Sequence, residues 1–101
     1  MITLVSVQKS DNPAKKFMAF FLVNGKRKKV HFGAVGYNDF ILYQRYGKTV
    51  ANMHRQRYIT RHQRREDWSD PTTAGCLSRY ILWEKPTLKS AIAFYRSKFR
   101  V

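Results

Sequence analysis

The dipeptide Asn24-Gly25 constrains this chain more than any other feature. It stands between two runs, Phe17 to Val23 and Lys26 to Phe32. A two-residue Asn-Gly loop is the strongest short hairpin signal, because a type I′ turn needs positive φ at both central positions. Such a turn also fixes the register of its strands. Val23 then faces Lys26, Phe21 faces Lys28, Ala19 faces Val30 and Phe17 faces Phe32 on one side. On the other, Leu22 faces Arg27, Phe20 faces Lys29 and Met18 faces His31. Near the turn each face of the ribbon is apolar on one strand and basic on the other, and both faces grow more apolar toward Phe17 and Phe32. The expected arrangement packs the hairpin base in a core and projects Lys26, Arg27, Lys28 and Lys29 into solvent.

Around this hairpin the chain reads as an α+β domain. Ile2 to Val7 is rich in β-branched residues and is expected to be a strand, followed by the turn cluster Ser10-Asp11-Asn12-Pro13. Gly33 and Gly36 break the third strand. Phe40 to Tyr46 fits a short strand or a helical turn equally well. From Thr49 to Arg65 the pattern becomes helical, with Thr49 as N-cap and Val50, Met53, Tyr58 and His62 sharing one broad stripe. The next helix is expected to start with Asp70 as N-cap and Pro71 at its first position. It should bury Ala74, Leu77 and Ile81, with Tyr80 and Trp83 beside them, and stop before Pro86. Thr87 caps a final helix whose Leu88, Ala91, Ile92, Tyr95 and Phe99 follow the i, i+3, i+4, i+7 series, with Lys89, Arg96, Lys98 and Arg100 outside. The prediction is one domain over residues 1–101: a small N-terminal antiparallel sheet within 1–33, then two or three packed helices within 49–100.

The charge is lopsided. Against 20 Lys plus Arg stand 6 Asp plus Glu, giving +14 on 101 residues. With 44% hydrophobic and 15% aromatic residues the chain is not disordered, so the excess sits on a folded domain. It costs self-repulsion and points to a polyanionic or acidic partner. A single cysteine, Cys76, excludes an intramolecular disulfide. The longest apolar run, the seven residues Phe17 to Val23, falls far short of the roughly 20 that span a membrane. Met1 to Val5 carries no basic region ahead of its apolar residues and does not read as a signal peptide. An intracellular or virus-internal location is therefore expected.

Two basic segments are the candidate binding surfaces. Arg55, Arg57, Arg61, Arg64 and Arg65 form an uncompensated helix surface, since no acid lies between Asp39 and Glu66. Arginine forks match phosphate geometry, and His54, Tyr58 and His62 are interleaved for stacking or hydrogen bonding. The same residues also fit a solvated face or one docked on an acidic protein. The second segment, Lys26 to Lys29, suits a β-ribbon lying along phosphates. It equally suits plain protection against edge pairing. Glu66, Asp67 and Asp70 gather half of the acids, either to neutralise nearby arginines or to favour the next helix start. Trp68 and Trp83 flank that helix and are expected in the core; either one, if exposed, would mark a partner pocket.

Catalytic and metal chemistry finds little to build on. His54 and His62 lie eight residues apart, about 12 Å along a helix, too far for one zinc. Cys76 has apolar neighbours and no paired-cysteine motif. Gly33-Ala34-Val35-Gly36 lacks phosphate-loop spacing, and the few acids do not suit a two-metal nuclease. The expectation is no enzyme, no metal, no cofactor and no small-molecule substrate.

A resemblance adds to this reading. The chain carries, in order, Lys29-Val30-His31-Phe32-Gly33, Gly36-Tyr37-Asn38-Asp39-Phe40, Arg57-Tyr58, Arg61-His62, Glu66-Asp67-Trp68, Asp70-Pro71-Thr72-Thr73-Ala74-Gly75, Ser78-Arg79-Tyr80-Ile81-Leu82-Trp83 and Lys85-Pro86-Thr87. Over roughly residues 16–99 it resembles a family of small basic proteins of nucleocytoplasmic large DNA viruses, such as the mimivirus, marseillevirus, phycodnavirus and iridovirus groups. That family carries no assigned activity, so the resemblance transfers no catalytic residue. Its members are richer in lysine and glutamate before the Arg57-Tyr58 position; here Tyr43 to Asn52 is more apolar and acid-free. The resemblance implies a viral origin. It leaves two uses: a minor capsid or core component docked to other virion proteins, or a DNA-packaging protein contacting the phosphate backbone. The aromatic, well-capped chain and its arginine-dominated helix favour fixed docking, with the virion, and the host cytoplasm or viral factory during assembly, as the expected location.

Overall fold

The computed structural model describes residues 1–101 and has the α+β architecture expected. Three antiparallel strands, β1 (Ile2–Lys9), β2 (Lys15–Val23) and β3 (Lys26–Ala34), lie in the order β1-β2-β3. Four helices follow: α1 (Phe40–Tyr43), extended by a 3-10 turn over Gln44–Tyr46; α2 (Lys48–His62); α3 (Ala74–Leu77), running on into a π turn over Ser78–Leu82; and α4 (Leu88–Phe99).

The hairpin is built as its turn dictates. Asn24 and Gly25 both take positive φ, 52° and 83°, and every cross-strand pair from Val23–Lys26 to Phe17–Phe32 follows the expected register. The pleat turns Ala19, Phe21 and Phe32 inward, where they are almost fully buried. β1 joins β2 with a bulge at Val5, between the Leu4–Phe21 and Ser6–Phe20 pairs. A bulge leaves carbonyls outside the ladder. Arg96 of α4 takes them up, its Nη2 donating to Leu4 O at 3.1 Å and Val5 O at 3.3 Å. Arg96, exposed on the outside of α4 as expected, is thus also a clasp between sheet and helix.

Phe40 to Tyr46 resolves as helix because Asp39 caps it. The Asp39 carboxylate accepts from Leu42 N and also pairs with Lys16 Nζ at 2.7 Å. The pair is nearly buried, its side chains 14% and 5% exposed, and it ties the loop after β3 back to β2.

Several helix boundaries differ from the sequence reading. α2 starts at Lys48, with Gly47 rather than Thr49 in the cap position, and ends at His62 rather than Arg65. Its end is a tight turn, since the N–H groups of Arg65 and Glu66 both donate to His62 O. Met53 stays exposed, and the inward side is Ala51, His54, Tyr58 and Ile59, with His62 half-buried at its end. The next helix is capped by Thr73, not Asp70. Asp70 instead closes a turn, its Oδ1 accepting from Thr72 N and Oγ1. The helix therefore begins later, and Ala74 is exposed. The π turn then buries three successive residues, Ile81, Leu82 and Trp83, which a 3.6-residue period does not give. Thr87 caps α4 as expected, and Ala91 and Tyr95 are fully buried.

The core joins the inner sheet face to Cys76, Leu77, Ile81 and Leu82 and then to α4. Gly33 permits this closeness: its φ is +80°, and a Cβ there would lie 2.8 Å from Leu82 Cδ1. Breaking a buried ion pair by removing one partner leaves an uncompensated charge. Asp39→Ala is expected to lower stability by roughly 3 kcal/mol in urea unfolding, and Asp39→Asn, which keeps a capping oxygen, by clearly less.

Candidate nucleic-acid interface

The structure sorts the predicted cations into struts and free charges. Arg55 is a strut. Its Nη1 donates to Glu84 O at 3.1 Å and lies 3.5 Å from Glu84 Oε2, and its guanidinium covers the Phe40 ring. It is thereby removed from the candidate surface. Arg57, Arg61, Arg64 and Arg65 are exposed and take part in none of the ion pairs of the fold. Arg57 and Arg61 stand one helical turn apart, about 6 Å along the axis. Arg64 and Arg65 follow in the turn beyond His62.

The hairpin tip is less free than its sequence suggests. Lys28 Nζ donates to Thr72 Oγ1 at 3.1 Å, and Lys29 sits 3.5 Å from Asp11 Oδ2. Lys26 and Arg27 remain unpaired and exposed. The tip is not joined to the α2 arginines, because the strands carry it away from the Ala34 end, where the chain leads to α2. Eight steps along β3 span about 27 Å.

Beneath α2 runs a ladder of aromatic rings. His54 stacks on Tyr43 at 3.8 Å and 2°, Tyr43 lies 6.1 Å from Trp83, Trp83 stacks on Tyr58 at 4.5 Å and 10°, and Tyr58 stacks on His62 at 4.3 Å. Trp83 is therefore a core residue, although it also borders the clefts above it. Trp68 is half-buried beneath the Arg79 guanidinium, which also covers Tyr80 and pairs with Glu84 at 2.8 Å. Both tryptophans thus pack with the core, and neither has the exposure that would mark a partner pocket.

Two clefts lie between α2 and the loop after β3, and Tyr37, Asn38, Arg61 and Trp83 border both. One, of about 490 Å³, also holds the carboxylates of Asp39 and Glu66. Those charges have company: Asp39 is paired with Lys16, and Glu66 Oε2 is 2.8 Å from His62 Nδ1 while Oε1 occupies the space that a Cβ at position 75 would need. The other cleft, of about 720 Å³, is bordered by Gln56, Arg57 and Thr60 as well and contains no acid. Tyr37, 74% exposed, stands between the two. Sequence reasoning passed over it, although an aromatic in a Gly36-Tyr37-Asn38 turn has no strand or helix stripe to bury it.

The remaining titratable groups serve the fold. Burial, reinforced by the Glu66 charge, pushes the Tyr58 hydroxyl far above its usual range. Burial likewise raises Tyr95, whose hydroxyl donates to Pro71 O at 2.6 Å. Burial raises the Cys76 thiol, so it stays protonated at neutral pH and is no activated nucleophile. Hydrogen bonds from Ser69 hold Asp67 below the usual carboxylate range, and those from Thr72 do the same for Asp70. No group of three or more His, Cys, Asp or Glu is placed to hold a metal. No helix is long and apolar enough to cross a membrane.

Among known proteins, residues 5–62 match a family of unknown function, DUF5754. No curated protein and no solved structure matches. The division between strut and free charge is directly measurable. Arg55→Gln is expected to lower stability by about 2 kcal/mol, the range for a charged hydrogen bond. Arg57→Gln should leave the unfolding midpoint within about 0.5 kcal/mol of the parent.

Proposed function

The chain belongs to the DUF5754 family, and we propose that it is a non-enzymatic module that holds a nucleic-acid phosphate backbone through the outer surface of α2 and the turn that follows it. The observation that carries this reading is the set Arg57, Arg61, Arg64 and Arg65, exposed and unpaired on one acid-free stretch. Folding gains nothing from four like charges held together, whereas a polyanion gains from each. The guanidinium fork meets phosphate oxygens in two parallel hydrogen bonds. No base-reading motif accompanies it, so binding is sequence-independent, as suits packaging of a viral genome.

A second reading, docking on an acidic virion protein, draws on the other side of the sheet. The row Met18, Phe20 and Leu22 points away from the helices and is flanked by Arg27 and Lys29 across the strand pair. With Val5, 51% exposed, it makes an apolar and basic surface of interface composition. Fractionation of purified particles tests it: the protein in shell fractions free of DNA supports docking, and its absence from particles removes both virion roles, docking and genome packaging.

Four phosphate contacts give a log–log salt slope of about −3.6 on duplex DNA, each neutralised phosphate contributing about −0.9. Replacing Arg57, Arg61, Arg64 and Arg65 together by Gln is expected to bring the slope close to zero while leaving the fold intact. A slope unchanged by the four substitutions would overturn the phosphate reading.

A further inference from the structure

We infer that the acid-free cleft between α2 and the Tyr37-Asn38 loop seats an unpaired base, so that this surface prefers single-stranded nucleic acid to duplex. The inference rests on the phosphate-binding reading and adds the part of the ligand that lies inside the cleft.

Tyr37 carries it. Most of its ring is in water, and it neither stacks on another aromatic nor lies under a cation. The other rings nearby are committed to one another, Tyr43 with His54 and Trp83 with Tyr58. Tyr37 is therefore the free π surface of the site. Exposing a large aromatic is unfavourable for a lone domain, and burying it against a flat, neutral ring relieves that cost. Nucleobases offer such a ring only when unpaired and unstacked; in a duplex their faces are already covered.

The surroundings fit a nucleotide. Arg57 and Arg61 stand at the rim, one turn apart, where they reach phosphates on either side of a seated base. Asn38, Gln56 and Thr60 offer both donors and acceptors within the same cleft, which accommodates any base without selecting one. No carboxylate borders it, unlike the neighbouring cleft with Asp39 and Glu66, so the strand path is the acid-free one. The volume, about 720 Å³, lies within the ordinary range for bound small molecules.

The test is fluorescence anisotropy of the full chain with labelled oligothymidine, oligouridine and a duplex, each of about 15 nucleotides or base pairs, at matched salt. The parent is expected to bind at least one single strand more tightly than duplex, the two oligomers separating DNA from RNA as the source. Tyr37→Ala should weaken the single-strand complex about tenfold or more and leave duplex affinity unchanged, while Tyr37→Phe, which keeps the ring, behaves as the parent. With the side chain in solvent, the substitution leaves the fold intact, and circular dichroism verifies this. Equal losses on single strand and duplex, or no loss on either, overturn the base seat. If salt-sensitive duplex binding persists in that case, the phosphate reading survives; if the parent binds none of the three probes, both fall.

Discussion

Helix α2 has too few apolar side chains to hold itself to the domain, and the stack of Tyr58 on Trp83 supplies the attachment. Only Ala51 and Tyr58 of α2 are buried. Trp83 belongs to the other half of the core, directly after the π turn that packs under the sheet. The stack therefore joins two halves that share little else, and an aromatic pair contributes about 0.5–1.5 kcal/mol beyond its buried area. Arg55 and Glu84 make a polar joint at the same seam, and Tyr43 with His54 extends the ring ladder along it. This mode of attachment leaves the outer side of α2 without structural duty. The arginines there are held in place by a helix they do nothing to stabilise.

What was legible in the sequence depended on how local its cause was. The Asn24-Gly25 turn and the strand register follow from a dipeptide, and they came out residue for residue. The Thr87 cap and the stripe of α4 follow from a 3.6-residue period. The candidate site was less legible. Arg55 and Arg57 look alike in sequence, yet one faces Glu84, 29 residues away, and the other faces solvent. Asp70 before Pro71 has the form of a helix start, but its carboxylate closes a turn on Thr72 and leaves the cap to Thr73. Tyr37 belongs to no periodic pattern at all, and its exposure is decided by how the loop leaves β3.

The fold handles its surplus charge by two means. Some cations are absorbed: Lys16 by Asp39, Arg79 by Glu84 and two rings, Lys98 by Tyr80 and Phe99. Rings do much of this because acids are scarce. The six carboxylates are nearly all used at joints in the structure, and the one at the end of α2, Glu66, is engaged with His62 rather than with Arg61, Arg64 or Arg65. Positive potential therefore builds up where structural need is least, which is the condition for a partner-facing surface.

The Arg96 clasp on the Val5 bulge has a consequence for how the chain is made. It spans more than 90 residues of sequence, while the hairpin closes over neighbours. On a ribosome the hairpin is complete long before Arg96 has been added. The strand β1 pairs with β2 early, but its bulged carbonyls wait in water until α4 arrives. Final closure is then a late step, set by the longest contact in the chain rather than by its fastest turn.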